Sequence, residues 1–333
     1  MGRYTARRLL QFIPVLFGTL FLLHYMQSLS IQLNGNPVIA LFGDRQPPPE
    51  TLAAITARYG LDEPCLTQTG NPCLGMFWGS LVNYTQGDFG IDFTRQPITA
   101  LLAEAAPITL RLTLIAVVFE TVVGIIAGVV AAIRKDRFVD NFIRASTVLL
   151  ISVPVFVLGV LVQIASGLWI GPWLEDRGAP EWVTAAFQVT YQSDHPWASL
   201  LVPGIVLGSF SLAFIARLTR TSLIETLRAD YVRAARAKGL TRSRVVGVHA
   251  LRNSLIPVVT FIGIDVGTLM GGALVTEGIF NIPGVGGLVF GAAAANETPV
   301  VVAVVTLLVL VFLLASLLVD LLYAVLDPRI RYE

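Results

Sequence analysis

Three acidic side chains, Glu120, Asp265 and Asp320, stand within or beside long apolar stretches. A charged residue at mid-bilayer costs about 2.5–3.5 kcal/mol on insertion scales, so each acid calls for a partner or for water. Two chemistries answer that need. One is a proton or cation path, as in an ion-coupled carrier; the other is an interhelical hydrogen bond or a position near the interface. The three acids are isolated along the sequence and almost no Lys or Arg shares their stretches, which favours the second. Asp265, beside Gly263 and Gly267, is the candidate to line a pathway. Cys65 and Cys73 are too few for a structural zinc site and too far apart for a CxxC redox motif. A local disulfide closing this loop is the natural reading on the outer side of a membrane, and two unpaired thiols are the alternative. His24, His195 and His249 are scattered and read as local hydrogen-bonding residues. No GxxxxGK[ST], HExxH or GxSxG occurs, so no catalytic residue, metal site or cofactor is expected in this chain.

Composition fixes the setting for these groups. Hydrophobic residues make up 55% of the 333 and charged residues 14%, against about 25% charged in soluble domains. The mean hydropathy is +0.73. A hydrocarbon core of about 30 Å needs about 20 apolar residues in helix. Six stretches qualify, at 9–31, 106–133, 142–170, 198–217, 254–276 and 300–325. The expected fold is all-α, a polytopic membrane protein of six transmembrane helices. The first stretch follows Arg3, Arg7 and Arg8 but is too long for a signal-peptide core and lacks a cleavage site, so it reads as a retained helix.

Orientation follows from Lys and Arg. With the N-terminus inside, 18 of 23 lie in cytoplasmic segments, nine of them between Arg217 and Arg252. Both termini are then cytoplasmic. Residues 1–31 form the N-terminus and first helix, and 32–105 an extracytoplasmic cap. Residues 106–325 are the core of helices 2–6, with a loop at 217–253, and 326–333 are a tail. The cap carries seven acidic and three basic residues, and Leu52, Ile55, Tyr59 and Leu61 supply one apolar helix face within it. Small-xxx-small spacing at Gly124/Gly128 and at Gly263/Gly267/Gly271 predicts close helix approach in helices 2 and 5.

The loop is the least ordinary segment. Ala229 to Lys238 are nearly all helix formers, and Gly239 is placed to end them. Arg233 and Arg236 share a face, while Ala234, Ala235 and Ala237 leave a surface of small side chains. Thr241 or Ser243 is placed to cap a second short helix. The charge alone would suit binding to anionic lipid headgroups.

The order Asp230-Tyr231-Val232-Arg233-Ala234-Ala235-Arg236-Ala237-Lys238-Gly239, followed by His249-Ala250-Leu251-Arg252-Asn253 and Pro257, resembles the EAA loop of ABC importer permeases. It is closest to the B-type permeases of dipeptide, oligopeptide and nickel importers. Further pieces fit in order: Arg8 with Pro14, Gly87-Asp88-Phe89-Gly90, Pro107-Ile108-Thr109-Leu110, Ser152 to Phe156, Glu277 to Gly286 and Asp327-Pro328-Arg329. Arg233 stands where the general motif has glutamate, as is common in the peptide branch. Asp92 replaces a usual serine, and the cysteine stretch looks like an elaboration of the cap.

The resemblance implies a type I importer permease in the bacterial inner membrane. A second, homologous permease would complete the pathway, and two ATPase subunits, or one fused double ATPase, would bind ATP and Mg. An extracytoplasmic solute-binding protein would deliver peptide. Membrane lipid surrounds the helices, and no nucleic acid is involved. Asp230, Tyr231, Arg233, Ala234, Ala235, Arg236, Ala237, Lys238 and Gly239 would couple to the ATPase. Glu277, Phe280, Pro283, Gly284 and Gly286 would form the external gate loop. Nickel or glutathione in place of peptides, and a stand-alone carrier or a scaffold in place of a permease, are the competing readings.

Overall fold

The computed structural model describes residues 2–42, 47–92, 94–295 and 297–326. In chain order the helices are α1 (Gly2–Asn34), α2 (Pro49–Arg58), α3 (Leu74–Thr85), α4 (Ile98–Ile133), α5 (Phe138–Ser152) and α6 (Val155–Ala165). There follow α7 (Gly171–Asp176), α8 (Glu181–Ala186), α9 (Leu201–Thr226), α10 (Asp230–Ala237) and α11 (Arg242–Arg244). The last are α12 (Leu251–Ser254), α13 (Ile256–Ile279), α14 (Val285–Ala294) and α15 (Thr298–Leu326). No strand occurs among the described residues. All backbone groups of a lipid-exposed span must bond within it, and helix is how an apolar sequence of this kind does so.

Among the described residues, four helices are long and apolar enough to cross a membrane: Leu9–Asn34, Ile98–Ile133, Val155–Asp176 and Leu201–Thr226. Arg242–Ser254 and Ile256–Leu269, bent by 48°, qualify only when taken together, as a broken span or a re-entrant loop. In α15 the apolar stretch of described residues, Thr298–Leu314, is shorter.

The expected helix over 142–170 is in fact broken. Val153 is extended (φ −92°, ψ 122°), and α6 restarts after Pro154. Proline lacks the N–H a continuous helix needs and clashes with the preceding turn, which accounts for the break. A π-helical stretch, Ser166–Ile170, then carries α6 into α7, so the span runs to Asp176. The stretch expected at 198–217 is also longer: α9 continues to Thr226. The first ten residues of the expected loop are therefore its last turns, with Thr219 and Leu223 fully buried.

The chain divides into two compact units, residues 108–283 and the two segments 1–107 and 284–333. In the first, α4 and α9 approach closely through glycines on both sides. A Cβ at Gly124 would stand 2.8 Å from Ile215 Cγ2, one at Gly128 2.5 Å from Thr219 Cβ, and one at Gly208 2.7 Å from the Ala116 carbonyl. On α13 the close contact falls at Gly272, 3.2 Å from Leu207, and not at Gly271, which has open space around it. Leu112, Ala116, Leu207, Leu269 and Phe280 lie in the main core of this unit.

In the second unit, α14 and the start of α15 pack on the head of α4 through Ile98, Leu102, Val285, Val300 and Val304. A smaller cluster joins Ile31 of α1 to Leu66 and Cys73. The predicted helix in the cap is α2, with Leu52 and Ile55 half-buried. The tail, including Asp327-Pro328-Arg329, and Arg45 lie outside the described residues.

Candidate functional site

The basic loop folds into a seated helix. Ala229 is extended (ψ 149°), and α10 then runs over eight residues with the Asp230 carboxyl in its first turn, where the helix dipole favours a negative charge. Asp230 pairs with Arg233 one turn later. Gly239 takes φ +78°, a conformation open to glycine, and ends the helix with its N–H donating to the Arg236 carbonyl at 2.9 Å. Thr241 directly precedes α11, but its hydroxyl makes no capping bond.

One face of α10 is apolar. Val232 is fully buried and Ala235 nearly so, among Ala132 of α4, Leu223 of α9, and Val245 and Ala250. Arg233, Ala234, Arg236, Ala237, Lys238 and Gly239 are exposed. The expectation that Ala235 lies on the outer surface with Ala234 and Ala237 is corrected. At helical period, residues 232 and 235 share the inward face, one turn apart. Tyr231 is exposed, and its hydroxyl accepts a 2.9 Å hydrogen bond from Asn253 Nδ2 on α12. Arg242 reaches the Ile133 carbonyl at the end of α4.

A clasp that spacing along the chain does not reveal lies nearby. Arg220, on the last turns of α9, donates from Nε and Nη2 to the two oxygens of Asp140 on α5, at 2.6 and 2.7 Å. Asp140 is fully buried, and it also accepts the Asp136 N–H at 2.8 Å. The Arg220 hydrogen bonds hold its carboxyl below the usual carboxylate range, against the opposing effect of burial. Eighty residues separate the pair, so only the opposite charges at the ends of two expected spans could have suggested it.

The other candidate residues are distributed through the fold. Glu277 closes α13 in a fully buried position, and the Ile282 N–H donates to its carbonyl at 2.9 Å. Phe280 is buried in the main core of its unit, where Gln163 donates to the Ile279 carbonyl and Gly159 leaves room for Ile279 and Phe280. The predicted Gly/Pro turn is short, spanning Phe280 to Gly284, because α14 starts at Val285 and takes in Gly286. Asn281 holds the turn with φ +47°.

Cys65 and Cys73 form a disulfide with Cα atoms 5.4 Å apart. The loop they close is bonded to α1: Gln32 Nε2 donates to the Cys65 and Asn71 carbonyls, and its Oε1 accepts from the Gly70 N–H. His24 Nε2 lies 3.2 Å from the Cys73 carbonyl.

Asp265, on α13, is 7% exposed, and it interacts with the carboxyl of the fully buried Glu120 on α4. Two of the three acids, far apart along the sequence, therefore act on each other across α4 and α13. Asp320 is on α15. Among the described residues no group of three or more His, Cys, Asp or Glu side chains is placed to hold a metal.

Residues 124–332 match the model of the binding-protein-dependent transport system inner membrane component. The chain belongs to that family. Over the full length of both chains it is 37% identical to the dipeptide transport system permease protein of Escherichia coli (strain K12). It is 36% identical, again over both full lengths, to the di/tripeptide transport system permease protein of Pseudomonas aeruginosa (strain UCBPP-PA14). The glutathione transport system permease protein of Escherichia coli (strain K12) is 35% identical on the same basis. As an inner-membrane transport component the chain is a permease, and the carrier and scaffold readings give way to that assignment.

Proposed function

We propose that this permease moves di- or oligopeptides through a pathway it forms with a second, homologous permease. A solute-binding protein delivers the cargo from outside. Two ATPase subunits, or one fused double ATPase, bind ATP and Mg and dock on α10 from the cytoplasm. Both termini are cytoplasmic, and the disulfide-closed loop is external. The observation that carries this reading is the two-sided α10. Its inner face is fixed by Val232 and Ala235 to the ends of α4 and α9, and its outer face offers Arg233, Arg236 and Lys238.

Helices packed through such a core move as one body. When ATP closes the ATPase pair, the two coupling helices are drawn together and α9 follows α10. The Asp140–Arg220 clasp carries that displacement to α5, and the pathway turns outward. Glu277, Phe280, Pro283, Gly284 and Gly286 form the external closure, where the short bend suits a tight plug. This chain contributes pathway wall and mechanical linkage, with the covalent chemistry left to the ATPases.

Peptide cargo rests on the dipeptide and di/tripeptide relatives, and glutathione on the third. Uptake of labelled dipeptide, glutathione and nickel by cells with and without the gene separates them. Loss of dipeptide uptake on deletion is expected, with nickel uptake unchanged. Unchanged dipeptide uptake together with lost glutathione or nickel uptake would replace the cargo assignment. Purification without any co-purifying ATPase would count against the complex.

A further inference from the structure

Glu120 and Asp265 are both in the 108–283 unit, on helices that pack against α9. Their level can be read from the contacts around them. Gly208 of α9 meets Ala116, one turn before Glu120, and Gly124, one turn after it, meets Leu212 and Ile215. On α13, Phe261 stacks on Phe214 and Gly272 meets Leu207, which brackets Asp265 at the same height. That height falls at the middle of the apolar stretches 106–133 and 254–276, and so at mid-membrane where these stretches span.

Glu120 is fully buried, and neither of its oxygens makes a hydrogen bond of regular geometry; the same is true of Asp265 Oδ2. Asp265 is the charged group that acts on the Glu120 carboxyl. The other charged groups of the surrounding helices are turned elsewhere. Arg111 is nine residues along α4, about 13 Å, and lies over the Trp197 ring. Arg217 and Glu225 are exposed, Arg220 is committed to Asp140, and Arg144 is exposed on α5. Glu277 is twelve residues along α13, about 18 Å. The α6 segment Val155–Ala165 has no charged residue.

Two carboxyl groups that act on each other at mid-membrane cannot both ionise without repulsion and lost hydration, and among the described residues no cation of this chain offsets them. One added positive charge removes both penalties. We propose that Glu120 and Asp265 form a buried site for a single monovalent cation, a proton or an alkali-metal ion, which ties α4 to α13 at mid-membrane. The site is distinct from the coupling helix, and it rests on the membrane-spanning reading of α4 and α13 rather than on peptide cargo.

The test uses the assembled transporter in nanodiscs of neutral lipid. Melting temperature is followed against pH in choline chloride for the wild type and for the E120Q/D265N variant, whose amides need no cation. As pH rises, the wild type is expected to lose about 2 °C per pH unit relative to the variant once the site empties, for a cooperative unit of this chain's size. Recovery on replacing choline by sodium or potassium at constant ionic strength assigns an alkali ion. Loss that no alkali salt reverses assigns a proton. Parallel melting curves at every pH and in every salt overturn the site. If the variant does not assemble, infrared spectra of the wild type decide. A protonated-carboxyl stretch that titrates away on raising pH, or a carboxylate band that shifts on adding sodium or potassium, upholds the site, and the absence of both overturns it.

Discussion

The seat of α10 and the Cys65–Cys73 loop each attach a short segment to a long apolar helix, by opposite means. The seat uses side chains that exclude water, with Val232, Leu223 and Val245 almost without exposure, and adds one buried ion pair beside it. The loop has only Leu66 and Cys73 to bury and relies on hydrogen bonds to backbone carbonyls and a covalent closure. A segment that must transmit force needs a core of its own, because packed side chains resist displacement. A polar loop with little to bury gains more from restricting its unfolded state. Disulfides persist in oxidising compartments, which fits the external loop proposed above.

The sharpest way to break the seat is to remove one partner of its ion pair. Arg220→Ala leaves Asp140 buried without compensation, and breaking a buried pair costs about 3–5 kcal/mol. The variant is expected to melt well below the wild type and to lose coupled uptake, whereas Asp140→Asn/Arg220→Met, which removes both charges, recovers most of the stability. Equal losses in the single and double variants would show that the pair is not the mechanical link. The pH dependence has a definite sign. Asp140 titrates below its unfolded range, so its contribution is complete at neutral pH and is lost as pH falls through the folded value, below ordinary carboxylate titration.

Closing a nine-residue loop by a disulfide contributes about 2–3 kcal/mol in the chain-entropy treatment. Cys65→Ser/Cys73→Ser is therefore expected to expose residues 64–73 to limited proteolysis while the ATPase still co-purifies with the chain. Loss of ATPase association in that variant would mean that the two regions are not independent devices.

The contrast between neighbours on α10 is subtler. Ala235→Leu overfills a closed core, at about 1–3 kcal/mol. Ala234→Leu, on the exposed face, is expected to leave melting unchanged and to weaken ATPase co-purification. Identical behaviour of the two would refute the two-sided helix.

What the sequence conveyed and what it withheld follow from the same physics. Apolar length marked four long spans, and Gly239 marked the end of α10, because both are local signals. Gly124 and Gly128 also marked a close approach, since their spacing places them on one helix face. The break at Pro154 was missed because an uninterrupted apolar composition outweighed one residue. The inward turn of Ala235 was missed because period alone does not say which side of a short helix meets the protein. The Asp140–Arg220 and Glu120–Asp265 pairs join residues 80 and 145 positions apart, and only folding brings them together.

The smallest effect tests the end of the seat. No atom lies within 4 Å of where a Cβ on Gly239 would sit, so side-chain size is not limiting in the free chain. Its φ of +78° is, and an alanine there costs about 1 kcal/mol. Asn tolerates that backbone region better, so Gly239→Asn should melt close to the wild type and Gly239→Ala slightly below it. Gly239→Leu should match Gly239→Ala in the free chain, because both pay only for the backbone. If the ATPase surface closes over the end of α10, Leu will in addition weaken ATPase co-purification relative to Ala. Equal co-purification of the two would place Gly239 outside the docking surface and leave it the role of terminating the helix.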